Sequence, residues 1–233
     1  MSGSPKILIV LTSHDKLGDT GKPTGWYLSE LAHPYDIFKS HNFNLTLASP
    51  NGGAAPLDPS SIEAAKSAND ATSASFLDNN KPAPWESTEH LTSLLGRAGE
   101  FDALFFPGGH GPMFDLAGDT TSQALVREFV EAGKVVAAVC HGPAALVGVG
   151  GLLRGRRVTG FSNEEEKAVG LDGAVPFLLE DRLREAVGPE GGYEKAGEAW
   201  GEKVVVDGKL ITGQNPASAK GVGEAIVRAV RGG

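Results

Sequence analysis

Residues 135–146 read Val135-Val-Ala-Ala-Val-Cys140-His141-Gly142-Pro143-Ala-Ala-Leu146, and this stretch decides the fold. Five consecutive apolar residues, 135–139, are typical of a strand that is buried on both faces of a parallel sheet. A helical pattern begins at Gly142, so the turn between strand and helix is very short. Such a turn is the layout of a nucleophile elbow, which projects one side chain above the sheet. We therefore predict an α/β fold with Cys140 at the carboxyl end of a central strand.

Similar apolar runs alternate with helical periodicity along the whole chain. Strands are predicted at 6–12, 43–49, 101–106, 135–139 and 157–161, followed by a hairpin of 203–206 and 209–212. Helices are predicted at 24–40, 86–95, 122–132, 142–149, 175–187 and 216–230. Alternating strands and helices build a three-layer α/β sandwich, here with a mostly parallel, flavodoxin-like sheet. The polar segment 51–85 is open between a mobile excursion and short helices.

Composition limits the classes of protein that this chain can represent. With 233 residues, 40% of them hydrophobic, and no evident linker or repeat, we predict a single domain over 1–233. One cysteine excludes an internal disulfide, and neither a signal peptide nor a membrane span is evident, so a cytoplasmic location is expected, with a nuclear pool left open. The net charge of −8 and the scattered basic residues do not provide the basic face of a nucleic-acid binder.

Cys140 and His141 are the first candidates for chemistry. We expect the helix N-terminus that follows to favour the thiolate of Cys140. His141 is placed to act as a general base. Each has a simpler alternative: free cysteines are among the most buried residue types, and His141 could merely cap the helix.

Three further groups lie near predicted strand ends or the first helix. Gly108 and Gly109, in Pro107-Gly-Gly-His-Gly-Pro112, could donate backbone N–H groups to an oxyanion, or could form a plain turn. An acid within residues 162–166 could orient His141, although three consecutive glutamates also suit a solvated helix start. Glu30 would have a raised pKa if buried and could then donate a hydrogen bond to a thiolate; otherwise it is an exposed helix charge.

Cofactor and metal motifs are not evident. No GxGxxG follows the first strand, and the histidines lack HExxH-type spacing, so we expect neither a dinucleotide nor a metal.

Together these segments resemble the DJ-1/ThiJ/PfpI superfamily, and more closely its fungal Hsp31-like branch of glutathione-independent glyoxalases of the glyoxalase III type. The motifs that carry the resemblance are LTSHD at 11–15, TGWYLSELAHP at 24–34, FFPGGHGPMFDL at 105–116, VVAAVCHGPAAL at 135–146, VTGFSNEEE at 158–166 and LITGQNPASA at 210–219.

The resemblance implies a site as well as a fold. It implies a catalytic Cys140, His141 and Glu166, with Glu30 beside the sulfur. Three glutamates are consecutive at 164–166, and the triad acid is assigned by counting five residues from Phe161. Glu165 is therefore an alternative to Glu166. The resemblance also implies substrate or oxyanion contacts from the backbone of His141 and from Gly108, Gly109 and His110.

The activity implied is that of a cofactor-independent lyase (D-lactate dehydratase). It would convert methylglyoxal and related 2-oxoaldehydes to lactate through a Cys140 hemithioacetal, and the protein would be a homodimer. Alternatives are a stress-linked holdase chaperone, a cysteine peptidase or deglycase of the same superfamily, and a redox sensor that uses the thiolate.

Overall fold

A sheet of mostly parallel strands runs through the computed structural model, which describes residues 3–232. The strands in these residues are β1 (Lys6–Val10), β2 (Asn44–Ser49), β3 (Glu89–His90), β4 (Ala103–Phe106), β5 (Val135–Val139), β6 (Arg157–Val158), β7 (Gly192–Tyr193), β8 (Val204–Asp207) and β9 (Leu210–Gly213). The main sheet has the order β3-β2-β1-β4-β5-β9-β8 within this part of the chain, and β8 pairs antiparallel to β9.

The order of the parallel strands β2-β1-β4-β5-β9 is that of a flavodoxin-like sheet, as predicted. Strand order reverses between β1 and β4, which creates a crevice beyond their carboxyl ends. Every residue of β4 and β5 is buried, which explains why these strands lack alternation of apolar and polar residues. The segments that follow β1, β4 and β5 therefore meet at one edge of the sheet.

Helices flank this sheet. They are α1 (Leu28–Ser40), α2 (Pro59–Ser67), α3 (Ala71–Asn79), α4 (Thr120–Glu131), α5 (Ala144–Val147), α6 (Asn163–Ala168), α7 (Leu179–Val187) and α8 (Ala219–Arg231). Helix α1 packs on α8, which also contacts β5 and β9, whereas α4 packs on β4, β5 and α5. Among residues 3–232, none of these helices combines the length and the apolar character needed to cross a membrane.

The polar segment 51–85 contains the short helices α2 and α3, one of the two alternatives left open. Each begins at an aspartate whose side chain accepts backbone N–H groups of the first turn. Asp58 accepts from Ser60, and Asp70 accepts from Thr72 and Ser73. These caps satisfy donors that a short helix otherwise leaves unpaired.

Two predicted elements are wrong. Residues 86–95 form a short strand and the 3₁₀ turn Leu91–Leu94 instead of a helix, because the Thr88 backbone pairs with Gly53 through two hydrogen bonds of 2.8 and 2.9 Å. The predicted strand 157–161 is limited to β6, which pairs with β7 outside the main sheet.

Three predicted helices also begin later than expected, at Leu28, Ala144 and Leu179. In addition, residues 216–218 form a separate 3₁₀ turn before α8.

Candidate active site

Cys140 occupies the strained turn between β5 and α5. Its φ of 60° lies in the left-handed region, which costs a non-glycine residue about 1–3 kcal/mol and persists only when the surroundings hold it. Its N–H donates to the Gly213 carbonyl and its own carbonyl accepts from the Phe161 N–H, both at 2.9 Å. A Cβ at Gly142 would lie 2.2 Å from the Phe106 carbonyl oxygen, so the next turn requires glycine.

A continuous set of contacts runs from the sulfur to a carboxylate. Nδ1 of His141 lies 3.4 Å from Sγ of Cys140, and its Nε2 lies 2.6 Å from Oε2 of Glu166. Although burial opposes ionisation, His141 and His110 hold the pKa of Glu166 well below its usual range. Burial, followed by the nearby His110, lowers the pKa of His141. A neutral His141 therefore donates its Nε2 proton to Glu166 and presents Nδ1 to the sulfur as an acceptor.

His110 is a second imidazole on the same carboxylate. Its Nε2 lies 2.7 Å from Oε1 of Glu166, and its ring centroid is 4.2 Å from that of His141. It was expected to contact substrate or an oxyanion. The structure places it on the wall of the cavity, with one nitrogen already occupied by Glu166.

Glu30 is fully buried on α1 and lies beside the thiol. Its Oε2 accepts the Gly108 N–H at 2.7 Å. Burial raises the pKa of this carboxyl to about 8, against the opposing hydrogen bonds of Cys140 and Gly108. The expected burial of this carboxyl is confirmed, and the alternative of an exposed helix charge is wrong.

The pKa of the Cys140 thiol shifts in the direction opposite to the one that a helix N-terminus alone would give. Burial raises the pKa of the thiol well above its usual value, Glu30 raises it further, and the Gly109 N–H opposes this. Helix α5 has only four residues. Desolvation and a neighbouring carboxyl outweigh so short a helix, because charge is costly in a buried site.

The two glycines after β4 have different environments. The Gly108 N–H is used by Glu30, which changes its expected role from oxyanion donor to support of that carboxyl. The Gly109 N–H faces the sulfur. Gly109 has a φ of 90°, and a Cβ there would lie 2.2 Å from the Gly25 carbonyl oxygen, so only glycine fits.

Glu165 does not contact His141 but joins three segments of the chain. It closes a capping box with Ser162 at the start of α6. Its Oε1 accepts from the Trp200 N–H and from the side-chain amides of Gln214 and Asn215, at 2.8–3.0 Å. This network explains the placement of the motif Gly213-Gln-Asn-Pro216, which sequence reasoning left without a role.

The geometry also allows a metal at this site. Within residues 3–232, one atom from each of His110, His141 and Glu166 lies within 4.8 Å of the others. Both histidines already contact the carboxylate oxygens, so an ion would have to replace those two hydrogen bonds.

A cavity of about 380 Å³ opens over Cys140. Besides His110 and His141, its walls include Tyr27, Phe161, Leu171 and Trp200. Sequence reasoning assigned no role to Tyr27 or Trp200, and Trp200 stands in an irregular segment where no motif points to it.

Comparisons with known proteins agree with this fold and these segments. The model of the DJ-1/PfpI family matches residues 24–229. The chain is 32% identical to the glutathione-independent glyoxalase hsp3102 of Schizosaccharomyces pombe, over 98% of both chains. Its structure resembles the Rapid Encystment Protein 24 kDa of Francisella tularensis (TM-score 0.87, 39% identity, 97% of this chain and 99% of that one) and glyoxalase III of Candida albicans (TM-score 0.85, 26% identity, 97% and 98%). The chain therefore belongs to the DJ-1/PfpI family.

Proposed function

We propose that this chain is a glutathione-independent glyoxalase that converts methylglyoxal and related 2-oxoaldehydes to the corresponding 2-hydroxy acids. The observation that carries the proposal is the connected set Cys140–His141–Glu166, with distances of 3.4 and 2.6 Å, at the floor of a cavity. A relative that spans nearly the whole chain and a structural neighbour both bear glyoxalase names.

The first proposed step is addition of sulfur to the aldehyde carbon. The Cys140 thiol gives its proton to Nδ1 of His141, which lies 3.4 Å away, as a bond forms between Sγ and C1 and the aldehyde oxygen takes the π electron pair and becomes an alkoxide. The backbone N–H groups of Gly109 and His141 are the proposed donors to this oxygen, since the Gly108 N–H is held by Glu30. The protonated His141 then gives the proton to this oxygen, which leaves a neutral hemithioacetal and a neutral His141.

The next proposed steps move a proton and then release the acid. His141 removes the hydrogen on C1 as a proton and returns it to C2 through an enediol, so that C1 becomes a thioester and C2 an alcohol. Glu166 orients the ring and stabilises its protonated form. Water then cleaves the thioester and regenerates Cys140. The balance is one 2-oxoaldehyde plus one water giving one 2-hydroxy acid, without an external oxidant or reductant.

Glu30 is proposed to control the charge on the sulfur. With a pKa of about 8, its carboxyl holds a proton at neutral pH. Glu30 and Cys140 are close enough to titrate as a pair. Burial raises the pKa of the thiol as well, so both groups hold their protons in the resting site. When the sulfur gives up its proton to His141 and adds to the substrate, the Glu30 carboxyl donates a hydrogen bond to it.

The alternatives have less support. A holdase needs a large exposed apolar patch, and the large exposed apolar side chains among residues 3–232 are few: Leu95, Val130, Val169, Trp200 and Val206. A homodimer, a cytoplasmic location and D-lactate as the product stay predictions.

The test follows lactate by NMR after methylglyoxal is added to pure protein without thiols. We expect turnover by the wild type and none by Cys140→Ala. Glu166→Gln should reduce kcat by about 10²–10⁴-fold, because a wrongly oriented histidine is a poor base. The matched control is Glu164→Gln, since Glu164 is an exposed neighbour on α6. Lactate formation by Cys140→Ala at the wild-type rate would refute the mechanism.

A further inference from the structure

The cavity over Cys140 is larger than a three-carbon dicarbonyl requires. Its volume is about 380 Å³. Methylglyoxal has five non-hydrogen atoms, and it fills about 150 Å³ if each of them is given the volume of a liquid water molecule, roughly 30 Å³. Pockets of roughly 300–1,000 Å³ accommodate drug-sized ligands. More than half of the cavity would therefore stay unfilled by methylglyoxal.

Trp200 is held at one wall of this cavity by a strained backbone. Its φ of 66° is in the left-handed region, which is rare for a bulky side chain. The N–H of Trp200 donates to Glu165 at 3.0 Å, which fixes this conformation. Strain of this kind clusters at ligand-binding positions, where surrounding contacts maintain it.

Trp200 also continues an aromatic wall that begins at His141. The Phe161 ring lies 4.4 Å from the His141 ring, and the Trp200 ring meets Phe161 edge-on at 5.6 Å. Although it lines the cavity, the Trp200 residue is 43% exposed. An aromatic surface thus leads from the reacting atoms to the solvent.

More than half of the remaining lining is apolar, including Leu17, Val169 and Leu171. Among the polar lining residues, Ser60 and Asp58 are hydrogen-bonded to each other, and Asp58 also accepts from Thr24. Lys22 is the one cation that residues 3–232 contribute to the lining, and it is exposed to solvent. The space beyond the sulfur therefore favours an apolar group over an extended polar one.

We propose that the preferred substrates are 2-oxoaldehydes with an aryl or similarly bulky apolar group on the ketone carbon, and that Trp200 is the specificity-determining residue that contacts this group. The inference rests on the proposed glyoxalase function. Phenylglyoxal plus water would give mandelate: C1 is oxidised from aldehyde to carboxylate, C2 is reduced from ketone to alcohol, and water supplies the added oxygen.

The test compares kcat/KM for phenylglyoxal and methylglyoxal, following loss of the aryl ketone absorbance and formation of lactate, respectively. We expect the wild type to prefer phenylglyoxal. Trp200→Ala should reduce that preference about two- to twelvefold, the equivalent of the 0.5–1.5 kcal/mol typical of an aromatic pair. Trp200→Phe should retain most of the preference. Val206→Ala, which removes a similarly exposed apolar side chain on β8, should leave it unchanged.

The outcomes separate this inference from the proposed function. The inference is overturned if the wild type turns over methylglyoxal without preferring phenylglyoxal. It is also overturned if Trp200→Ala lowers kcat/KM for both substrates by the same factor. Either result leaves the glyoxalase function intact. Absence of turnover with both substrates refutes the glyoxalase function itself.

Discussion

Replacing Glu30 by glutamine tests whether a buried acid is retained at the expense of stability. Glutamine keeps an oxygen for the Gly108 N–H and nearly the same volume, but it cannot ionise. In the wild type, burial raises the pKa of Glu30 from 4.5 to about 8. The folded state therefore holds this proton more tightly than the unfolded state does. The stability contributed by the protonated carboxyl is complete below pH 4.5 and is lost as the pH rises through about 8.

The size of the effect follows from the two pKa values. At about 1.36 kcal/mol per pKa unit, the loss totals on the order of 5 kcal/mol, of which about 4 kcal/mol falls between pH 5 and pH 9. Glu30→Gln escapes this loss. We expect the variant to gain about 4 kcal/mol relative to the wild type over this pH range, while kcat falls by about 10²-fold or more because the proton donor to the sulfur is gone.

Urea unfolding at pH 5, 7 and 9, followed by tryptophan fluorescence, measures the free energies. Using the difference between pH values cancels any effect of the substitution that does not depend on pH. The control is Glu131→Gln, since Glu131 is exposed at the end of α4. A gap between variant and wild type that stays constant within about 1 kcal/mol from pH 5 to pH 9 would refute the assignment of a raised pKa to Glu30.

Two further substitutions probe the histidine pair and the carboxylate network. His110→Gln keeps a hydrogen-bond donor for Glu166 but removes the imidazole that lowers the pKa of His141, so the acid limb of kcat/KM against pH should move to higher pH. The groups that face His141 are otherwise Cys140, Glu166 and Glu165, and an unmoved limb would contradict this role of His110. Glu165→Gln replaces one of the two accepting oxygens by an NH2 group, which would face the N–H and O–H donors that now bond to the carboxylate. It should therefore lower the free energy of unfolding by about 3 kcal/mol, measured in urea. A loss below about 1 kcal/mol would show that the network tolerates an amide.

Much of the fold could be predicted because its strands are defined locally. The strands β4 and β5 are fully buried, and their uninterrupted apolar sequences reveal this directly. The wrong helix at 86–95 has the opposite cause. Thr88 pairs with Gly53, a residue 35 positions away, and periodicity within a short window carries no information about such a partner.

The candidate site was only partly predictable for a related reason. Cys140 and His141 are adjacent in sequence, and the apolar run of residues 135–139 directly before them predicts that they lie at the end of a strand. The choice between Glu165 and Glu166 depends on how α6 is rotated, and that rotation is set by the capping box at Ser162. The role of Trp200 depends on a left-handed backbone, which no pattern of side-chain types specifies.

The direction of the thiol pKa could not be predicted, because a helix N-terminus can be recognised in a sequence whereas the burial of the thiol and of the neighbouring carboxyl depends on the assembled fold. Once Glu30 and Cys140 are packed together away from water, their burial and mutual interaction raise the thiol pKa by more than the short helix α5 can lower it.

The hydrogen bonds of Glu165 have a consequence for how this protein can change by mutation. One carboxylate oxygen accepts from the side-chain amides of Gln214 and Asn215, so substitutions at these two positions should not have additive effects. A replacement tolerated at residue 214 in one background can become harmful after residue 215 has changed. Trp200 instead uses its backbone N–H, so its side chain can vary without loss of that hydrogen bond. Residue 200 is therefore a position at which the cavity wall can change while the network beneath it is kept.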